Sequence, residues 1–458
     1  MGRFLLAAAL AAAVLFPAAC HRRDDAPALP HPLVLVGVDG LEWRLVLDLA
    51  KEGRLPALSR LAADGAFARL STLEPALSPP IWTSIATGVV PERHGILGFV
   101  RPDEPSGRQV LFTNRDRRVK AIWNIASDAG LGACVVGYWM TFPVEEIRGA
   151  MVAQTGSPPG SERSRTRKGG LEPGRDGQVY PPALEEKVFA EARDATDAVA
   201  GREKDLYGDT SSWPASMRRL VEHSRWSLAS DAAYQRIALD LARDHARCDL
   251  VLVYLGLPDV LGHRFWRWTY PDDFSPGPPP DEVARYGGVL GRAYAEVDAF
   301  VAAMREAAGP GATVIVASDH GMGAWRPGVA PDLAREDGPL VRTGGHSAQR
   351  EAFLAAAGPG VARAGRALPS SVDEVPRIGS ILDLAPTLLA LLGLPRGADM
   401  DGHVLTPLVA ARFVAAHPLA EVATQTPPGW ASTRRLAAGG DEPGEERLEQ
   451  LRGLGYLE

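Results

Sequence analysis

The sequence predicts an α/β fold built on a mostly parallel central sheet with helices on both faces. Three observations carry that expectation. PLVLVGVDG (32–40), CDLVLVYLGLPD (248–259) and ATVIVASDHG (312–321) are continuous apolar runs without polar alternation, as in strands buried on both faces. Segments with helical periodicity, at 216–247 and 285–307, lie between or beside them, and alternating strands and helices make layered α/β folds. Each run also closes on an acid beside a Gly- or Pro-containing turn: Asp39, Asp259 and Asp319. Ligands of open α/β sheets bind in the crevice at the carboxyl ends of the strands.

Taken in order, the chain opens with MGRFLLAAALAAAVLFPAAC, in which Arg3, an apolar run and small residues before Cys20 have the layout of a secretory signal. Ala18-Ala19-Cys20 is similar to a bacterial lipoprotein cleavage site, although Pro17 departs from the usual aliphatic residue. Residues 1–19 are therefore read as a signal peptide and CHRRDDAPALPHP (20–32) as a polar tether lipidated at Cys20. A catalytic domain is expected over 33–410. WRLVLDLAKEG, after Asp39, reads as a helix. In LSPPIWTSIATG (77–88), Ser78 before two prolines reads as a helix start, since Ser is a favoured N-cap and Pro suits the first turn. Whether Ser78 only caps that helix or is aimed at something is left open by the stretch itself.

Residues of about 156–215 interrupt the pattern. Their first part, SPPGSERSRTRKGGLEPGRDG, is polar and rich in Gly and Pro, the composition of a loop or cap insertion. FWRWTYPDDFSPGPPPDE (265–282) reads as a second irregular segment. ILDLAPTLLALLGLP (381–395) reads as a helix with a Gly-Pro stop, and 411–458 as a tail ending in an amphipathic helix. No segment after the first twenty residues has the roughly 18 to 20 uninterrupted apolar residues that span a bilayer.

With 46% hydrophobic and 23% charged residues the chain can bury a large core, and its net charge of −7 comes with no basic stripe, which argues against a nucleic acid duplex as partner. Cys134 and Cys248 each adjoin an apolar run and read as buried free thiols, with no CxxC and no thiolate zinc site.

The histidines sharpen the picture. His263 follows Asp259 by four residues, one helical turn; His320 adjoins Asp319; His346 lies in TGGHS. Three Asp and three His suffice for two metal sites of three protein ligands each, the open coordination of catalytic rather than structural zinc. Mixed carboxylate and imidazole suits Zn²⁺, with Mn²⁺ or Fe compatible by ligand type. His94, His223 and His403 arrive without acids and read as ordinary core or surface residues.

GVDG, SPPIWTSIATGVVPERHGI, PDVLGH, SDHGM and GGH occur in this order, followed by ILDLAPTLLALLGLP…DGHVL. Over residues 33–405 the sequence thereby resembles the type I phosphodiesterase/nucleotide pyrophosphatases of the alkaline phosphatase superfamily. The resemblance implies an alkaline-phosphatase-like three-layer fold and two divalent metal ions. One would be held by Asp39, Asp319 and His320 with Ser78 facing it, the other by Asp259, His263 and His346. It places Ser78 as the nucleophile, forming a phospho-Ser78 intermediate, with Thr83 and Ser84 as fallbacks. Such metal pairs lie about 4 Å apart and clamp the attacking and leaving oxygens, and a helix start adds backbone N–H groups for an anionic phosphoryl.

Phe99 and Ile81 stand where the family carries Asn, so nucleotide recognition is not carried over with the metal chemistry. Arg264, Arg267 and the aromatics of FWRWTYP read either as a pocket wall for a bulky anionic substrate or as core packing. The sulfatase branch is set aside because Trp82 stands where its motif needs Arg. The expected activity is hydrolysis of phosphate esters, foremost phosphodiesters. A phosphomonoesterase or phosphonate-ester hydrolase is the near alternative, with Lys120 and NRDRRVK as a source of the extra basic group. A non-catalytic ligand-binding surface lipoprotein is the distant one. The expected location is the cell envelope, periplasm or cell surface, with the membrane reached through the lipid at Cys20.

Overall fold

The structure is a computed structural model that describes residues 29–103, 107–154, 171, 176–325, 342–346, 351–434 and 436. Its described strands include nine that form one sheet: β1 (Leu33–Val38), β2 (Ala66–Ser71), β3 (Ala133–Val136), β4 (Gly149–Val152), β5 (Val179–Tyr180), β6 (Leu250–Leu255), β7 (Thr313–Ala317), β8 (Glu351–Ala357) and β9 (Arg377–Ser380). Their order across the sheet is β9-β2-β8-β7-β1-β6-β3-β4-β5. The three apolar runs of the sequence become its centre: β1 pairs in parallel with β6 on one side and β7 on the other. Parallel pairing continues through β3 and β4, and between β2 and β9. Only β8 and β5 run antiparallel to their neighbours. Val38 is level with Leu255, and Gly37 with Ala317, so the acids that follow the three strands leave the sheet at one edge.

The described helices used below are α1 (Trp43–Lys51), α2 (Ser78–Thr87), α3 (Glu185–Asp197), α4 (Val199–Tyr207), α5 (Ala215–Arg243), α6 (Leu257–Thr269), α7 (Val289–Ala308) and α8 (Leu384–Leu391). Side chains of a strand alternate between faces. Val34, Val36 and Val38 accordingly pack with α1 and α3 to α7, while Leu33 and Leu35 pack with α2 and α8. Helices thus cover both faces of a mostly parallel sheet, the expected three-layer α/β architecture. No helix among the described residues is long and apolar enough to cross a membrane.

Within the segment expected as an insertion, residues 176–215 supply the edge strand β5 and the helices α3 and α4. Val188, Ala192 and Ala195 of α3 join the same core as α5. Residues 156–170 and 172–175 of that segment, the signal and lipid site at Cys20, and the C-terminal amphipathic helix lie outside the described residues.

Residues 265–269 correct an expectation: they are helix, not irregular chain. The Pro-rich stretch that prompted that reading begins only at Pro271, and FWRWT continues the helical spacing set by residues 257–264. Phe265, Trp266 and Trp268 are at most 1% exposed and belong to the core, so they form no pocket wall. The two indole N–H groups are met inside the fold, by Asp273 for Trp266 and Glu282 for Trp268.

The reading of two free thiols is also overturned. Cys134 and Cys248 form a disulfide, with Cα atoms 5.5 Å apart across a sequence separation of 114 residues. Cys134 lies in β3 and Cys248 just upstream of β6, and these strands are sheet neighbours, which brings the two sulfurs within bonding reach. Closing so long a loop removes much freedom from the unfolded chain. The double substitution Cys134→Ser, Cys248→Ser should therefore destabilise the fold by about 2–4 kcal/mol. Equilibrium denaturation with and without reductant checks this: an unchanged midpoint for the reduced protein would show that the bond contributes nothing.

Candidate metal centre and nucleophile

Six side chains converge at the carboxyl edge of β6-β1-β7. Asp39 ends β1, Asp319 and His320 follow β7, and Asp259 and His263 lie one turn apart in the first half of α6. His346 follows Gly344–Gly345, which pairs as a two-residue ribbon with Gly323–Ala324. Gly40 permits the crowding at this edge. It has φ +64°, and a Cβ there would lie 3.1 Å from that of Asp259.

All six are buried, none more than 7% exposed. His346 Nε2 lies 2.9 Å from His263 Nε2 and 3.3 Å from Asp259 Oδ1, which is 3.4 Å from His263 Nε2. His320 Nε2 lies 3.3 Å from Asp39 Oδ1 and 3.2 Å from Asp319 Oδ2. The outer nitrogens explain which atoms point inward. His263 Nδ1 donates to Gly344 O (2.8 Å), His320 Nδ1 to Gly321 O (3.1 Å) and His346 Nδ1 to Ala76 O (3.0 Å). Each ring sets its Nδ1 on a backbone carbonyl and turns its Nε2 toward the carboxylates, the arrangement that orients metal-ligating histidines.

Electrostatics sets these groups against one another. Burial, with Asp259 nearby, pushes Asp39 up to about 7. Burial and the charges of Asp39 and Asp259 push Asp319 well above the usual carboxylate range. Burial also works to raise Asp259, but His263, His346 and His320 outweigh it and hold that carboxyl low. Burial takes His320 down to about 3 and His263 well below its ordinary value. His346 is raised, since Asp259 overcomes the opposing effect of burial.

A divalent cation fits this donor set. Asp39 Oδ1, Asp319 Oδ2 and His320 Nε2 are buried and make no hydrogen bond, yet lie within 3.3 Å of one another through His320. Acceptors do not crowd together in a low-dielectric interior without a positive partner. Among the described residues, two groups of three have ligand atoms mutually within 4.8 Å: Asp259–His263–His346 and Asp39–Asp259–His320. In the second group Asp259 stands in the place expected for Asp319, whose Oδ1 accepts from Gly40 N–H at 3.3 Å while its Oδ2 stays beside His320.

Ser78 differs from the capping reading. It is the first residue of α2; Leu77 is the N-cap, and no side chain caps the helix. The reason is local. A capping hydroxyl needs the N–H of the second or third residue after it; Pro80 has none, and Ile81 N donates to Leu77 O. The same two prolines thin the backbone donors that a helix start would offer a phosphoryl group. Ser78 is 3% exposed, and its segment is tied to the cluster on both sides: Ala76 O receives His346, and Trp82 Nε1 donates to Asp39 Oδ2 at 3.2 Å.

The fallbacks are committed elsewhere. Thr83 Oγ1 donates to Pro79 O. Ser84 Oγ lies 3.0 Å from His94 Nε2, but His94 Nδ1 accepts from Ile96 N–H, so Nε2 carries the proton and faces Ser84 as a donor. Burial holds His94 at about 3. It is a neutral structural histidine, not a base. Two of the basic groups expected to serve a dianion are engaged by acids. Lys120 pairs with Asp128 at 2.8 Å, and buried Arg117 with Glu145 at 2.7 Å.

Sequence reasoning missed the residues that hold the ligand-bearing turns. Asp231 of α5 accepts from Gly256 N and Leu257 N, anchoring the start of α6 just before Asp259. Glu42 accepts from Met322 N, joining the turn after β1 to the turn after β7. Tyr294 OH bridges Gly40 O and Glu42 N. Burial pushes both carboxyls up to about 7. Glu42 also caps α1, accepting from Arg44 N, but its bond to Met322 and those of Asp231 and Tyr294 join points far apart in sequence, which no local pattern marks.

Residues 33–377 match the type I phosphodiesterase/nucleotide pyrophosphatase family. Among solved structures, human ectonucleotide pyrophosphatase/phosphodiesterase 5 is similar at 13% identity and a TM-score of 0.49, over 83% of this chain and 100% of that one. Phosphonoacetate hydrolase from Sinorhizobium meliloti, solved with phosphonoacetate, is similar at 21% identity and a TM-score of 0.40 over 66% of this chain. The match spans 59% of that hydrolase's length. No curated protein matches the sequence. With most of its length matched, and with the mostly parallel sheet to go with it, the chain belongs to the type I phosphodiesterase/nucleotide pyrophosphatase family of the alkaline phosphatase superfamily.

Proposed function

We propose that the protein is a two-metal hydrolase that prefers phosphodiesters and works through a covalent phospho-Ser78 intermediate. The observation that carries this reading is the inward convergence of three carboxylates and three imidazole Nε2 atoms beside the segment that bears Ser78. Asp259, His263 and His346 would hold one ion, and Asp39, Asp319 and His320 the other, with Asp259 close to both; zinc suits the ligands best. When bound, the ions offset the charge that develops on the attacking and leaving oxygens and lower the pKa of a nearby hydroxyl.

Ser78 Oγ attacks phosphorus as its proton passes to solvent; the Oγ–P bond forms while the ester P–O bond breaks. The departing alkoxide takes a proton from water. Water then attacks phosphorus of the seryl ester and the Oγ–P bond breaks; the phosphate monoester is released and a water proton restores the Ser78 hydroxyl. The engagement of Lys120 and Arg117 supports a preference for a singly charged diester, because it leaves less positive charge for a monoester dianion. The test is a comparison of kcat/KM on residues 32–458 with zinc. Bis-p-nitrophenyl phosphate should exceed p-nitrophenyl phosphate, a phenylphosphonate ester and a nucleoside triphosphate. A higher value for the monoester or the phosphonate would replace the diester reading.

The same proposal places the protein in the cell envelope, with 1–19 as signal, Cys20 lipidated, 20–32 as tether, 33–410 as the catalytic unit and 411–458 as tail. The Cys134–Cys248 bond supports this, because disulfides persist in oxidising compartments outside the cytosol. Full-length protein should sediment with membranes, and Cys20→Ser should release it or stall its processing. Equal membrane association of the variant would remove the lipid anchor from the proposal.

A further inference from the structure

Asp39 does not present its two oxygens alike. Tyr254 OH donates to Oδ2 at 2.7 Å and Trp82 Nε1 donates to the same atom at 3.2 Å, while Oδ1 makes no hydrogen bond and lies beside His320. Both donors are neutral ring groups, so they fix the carboxylate without cancelling its charge. The sequence prepares the arrangement. Gly37 sits opposite Tyr254 in the β1–β6 register, and a Cβ there would lie 2.6 Å from Trp82 Cζ3. The missing side chain lets the indole lie against β1 and reach the acid two residues on. Trp82 meets Tyr254 edge-on at 5.3 Å and Tyr138 at 5.6 Å, and Tyr138 OH donates to Trp82 O. Trp82 also belongs to α2, the helix that starts at Ser78.

We propose that Tyr254 and Trp82 are positioning residues for the second metal ion: together they saturate Asp39 Oδ2, so that Oδ1 alone faces the ion, and Trp82 holds the Ser78 helix to that same ligand. This rests on the two-metal reading above. The two rings touch the ligand and not the substrate, and their effect is exerted through Asp39. Asp319 is fixed in a parallel way, with one oxygen on a backbone N–H and one facing inward, but its partner cannot be removed by substitution. Asp39 is therefore where the device can be tested.

Tyr254→Phe deletes one oxygen and keeps the ring. Zinc alone is the probe, titrated into metal-depleted full-length protein against a competing chelator. Wild-type protein should take up two equivalents. In Tyr254→Phe one equivalent should bind about 10- to 100-fold more weakly while the other keeps its affinity, the scale of loss when a ligand's supporting hydrogen bond is removed. Its kcat should fall more than its KM changes. Trp82→Phe should weaken the same equivalent. Tyr270→Phe, which removes a phenol that donates to Asp48, a carboxylate outside the six ligands, should leave both affinities unchanged; a merely structural role would weaken all three variants alike. Wild-type zinc affinities and kcat in Tyr254→Phe would overturn the proposal. Failure of the two-metal reading is seen separately, as wild-type protein that takes up fewer than two equivalents, and that result overturns both.

Discussion

Chelated protein should hydrolyse no phosphate ester at a measurable rate, and added zinc should restore turnover. The expectation rests on six buried donors from five separate points of the chain, which without a cation leave acceptors facing acceptors. His263→Ala removes a ligand from one group and Asp319→Ala a carboxylate from the other, so each should lower kcat by several orders of magnitude. Elemental analysis of the wild type should find close to two metals per chain. Protons compete for the same atoms. Asp39, near 7 in the metal-free protein, and the raised Asp319 and His346 must all shed protons to bind zinc, so zinc affinity should rise with pH through about 7. The linked stability has the opposite sign. Asp39 is raised from an ordinary 3.8, so folded metal-free protein binds its proton more tightly than the unfolded chain does. That contribution is lost as pH rises between about 4 and 7. Full activity after exhaustive chelation would end the metal reading.

The strands and their acids were legible because the signal is local. An unbroken apolar run, then an acid, then a turn can be read within ten residues, and three such runs side by side make the centre of the sheet. What escaped was set by partners far along the chain. Cys134 finds Cys248 only because β3 and β6 are neighbours, and Asp231 meets α6 only because α5 packs beside it. Asp259 lies close to both ligand groups, a fact of three dimensions that spacing in sequence does not contain. FWRWT misled in the other direction. Its proline-rich sequel looked irregular, but burial of three rings keeps the helix running to Thr269. The Ser78 cap was a different kind of miss. Pro80 was visible throughout, and counting its absent N–H already argues against a capping hydroxyl.

Removing the Ser78 hydroxyl should therefore abolish turnover while leaving stability nearly untouched. A helix N-cap replaced by Ala costs on the order of 1 kcal/mol, but α2 is capped by Leu77 and Ser78 supplies no capping bond. Ser78→Ala should accordingly melt close to wild type, because it removes no capping bond. Its kcat on the best diester should fall on the order of 10⁴-fold or more, the loss expected when a covalent nucleophile is removed. Ser78→Gly should match it in activity. Ser78→Thr keeps a hydroxyl at the same backbone position and should retain measurable turnover. A quench of the wild type during diester hydrolysis should trap on Ser78 a phosphoryl group that still carries its second ester, and Ser78→Ala should trap none. The alternatives are disfavoured by their bonds: Thr83 donates to Pro79 O, and Ser84 faces the protonated nitrogen of His94. Activity should follow the hydroxyl and stability should ignore it. Near wild-type hydrolysis by Ser78→Ala would exclude the phosphoserine route and leave attack by water as the mechanism at the same six residues.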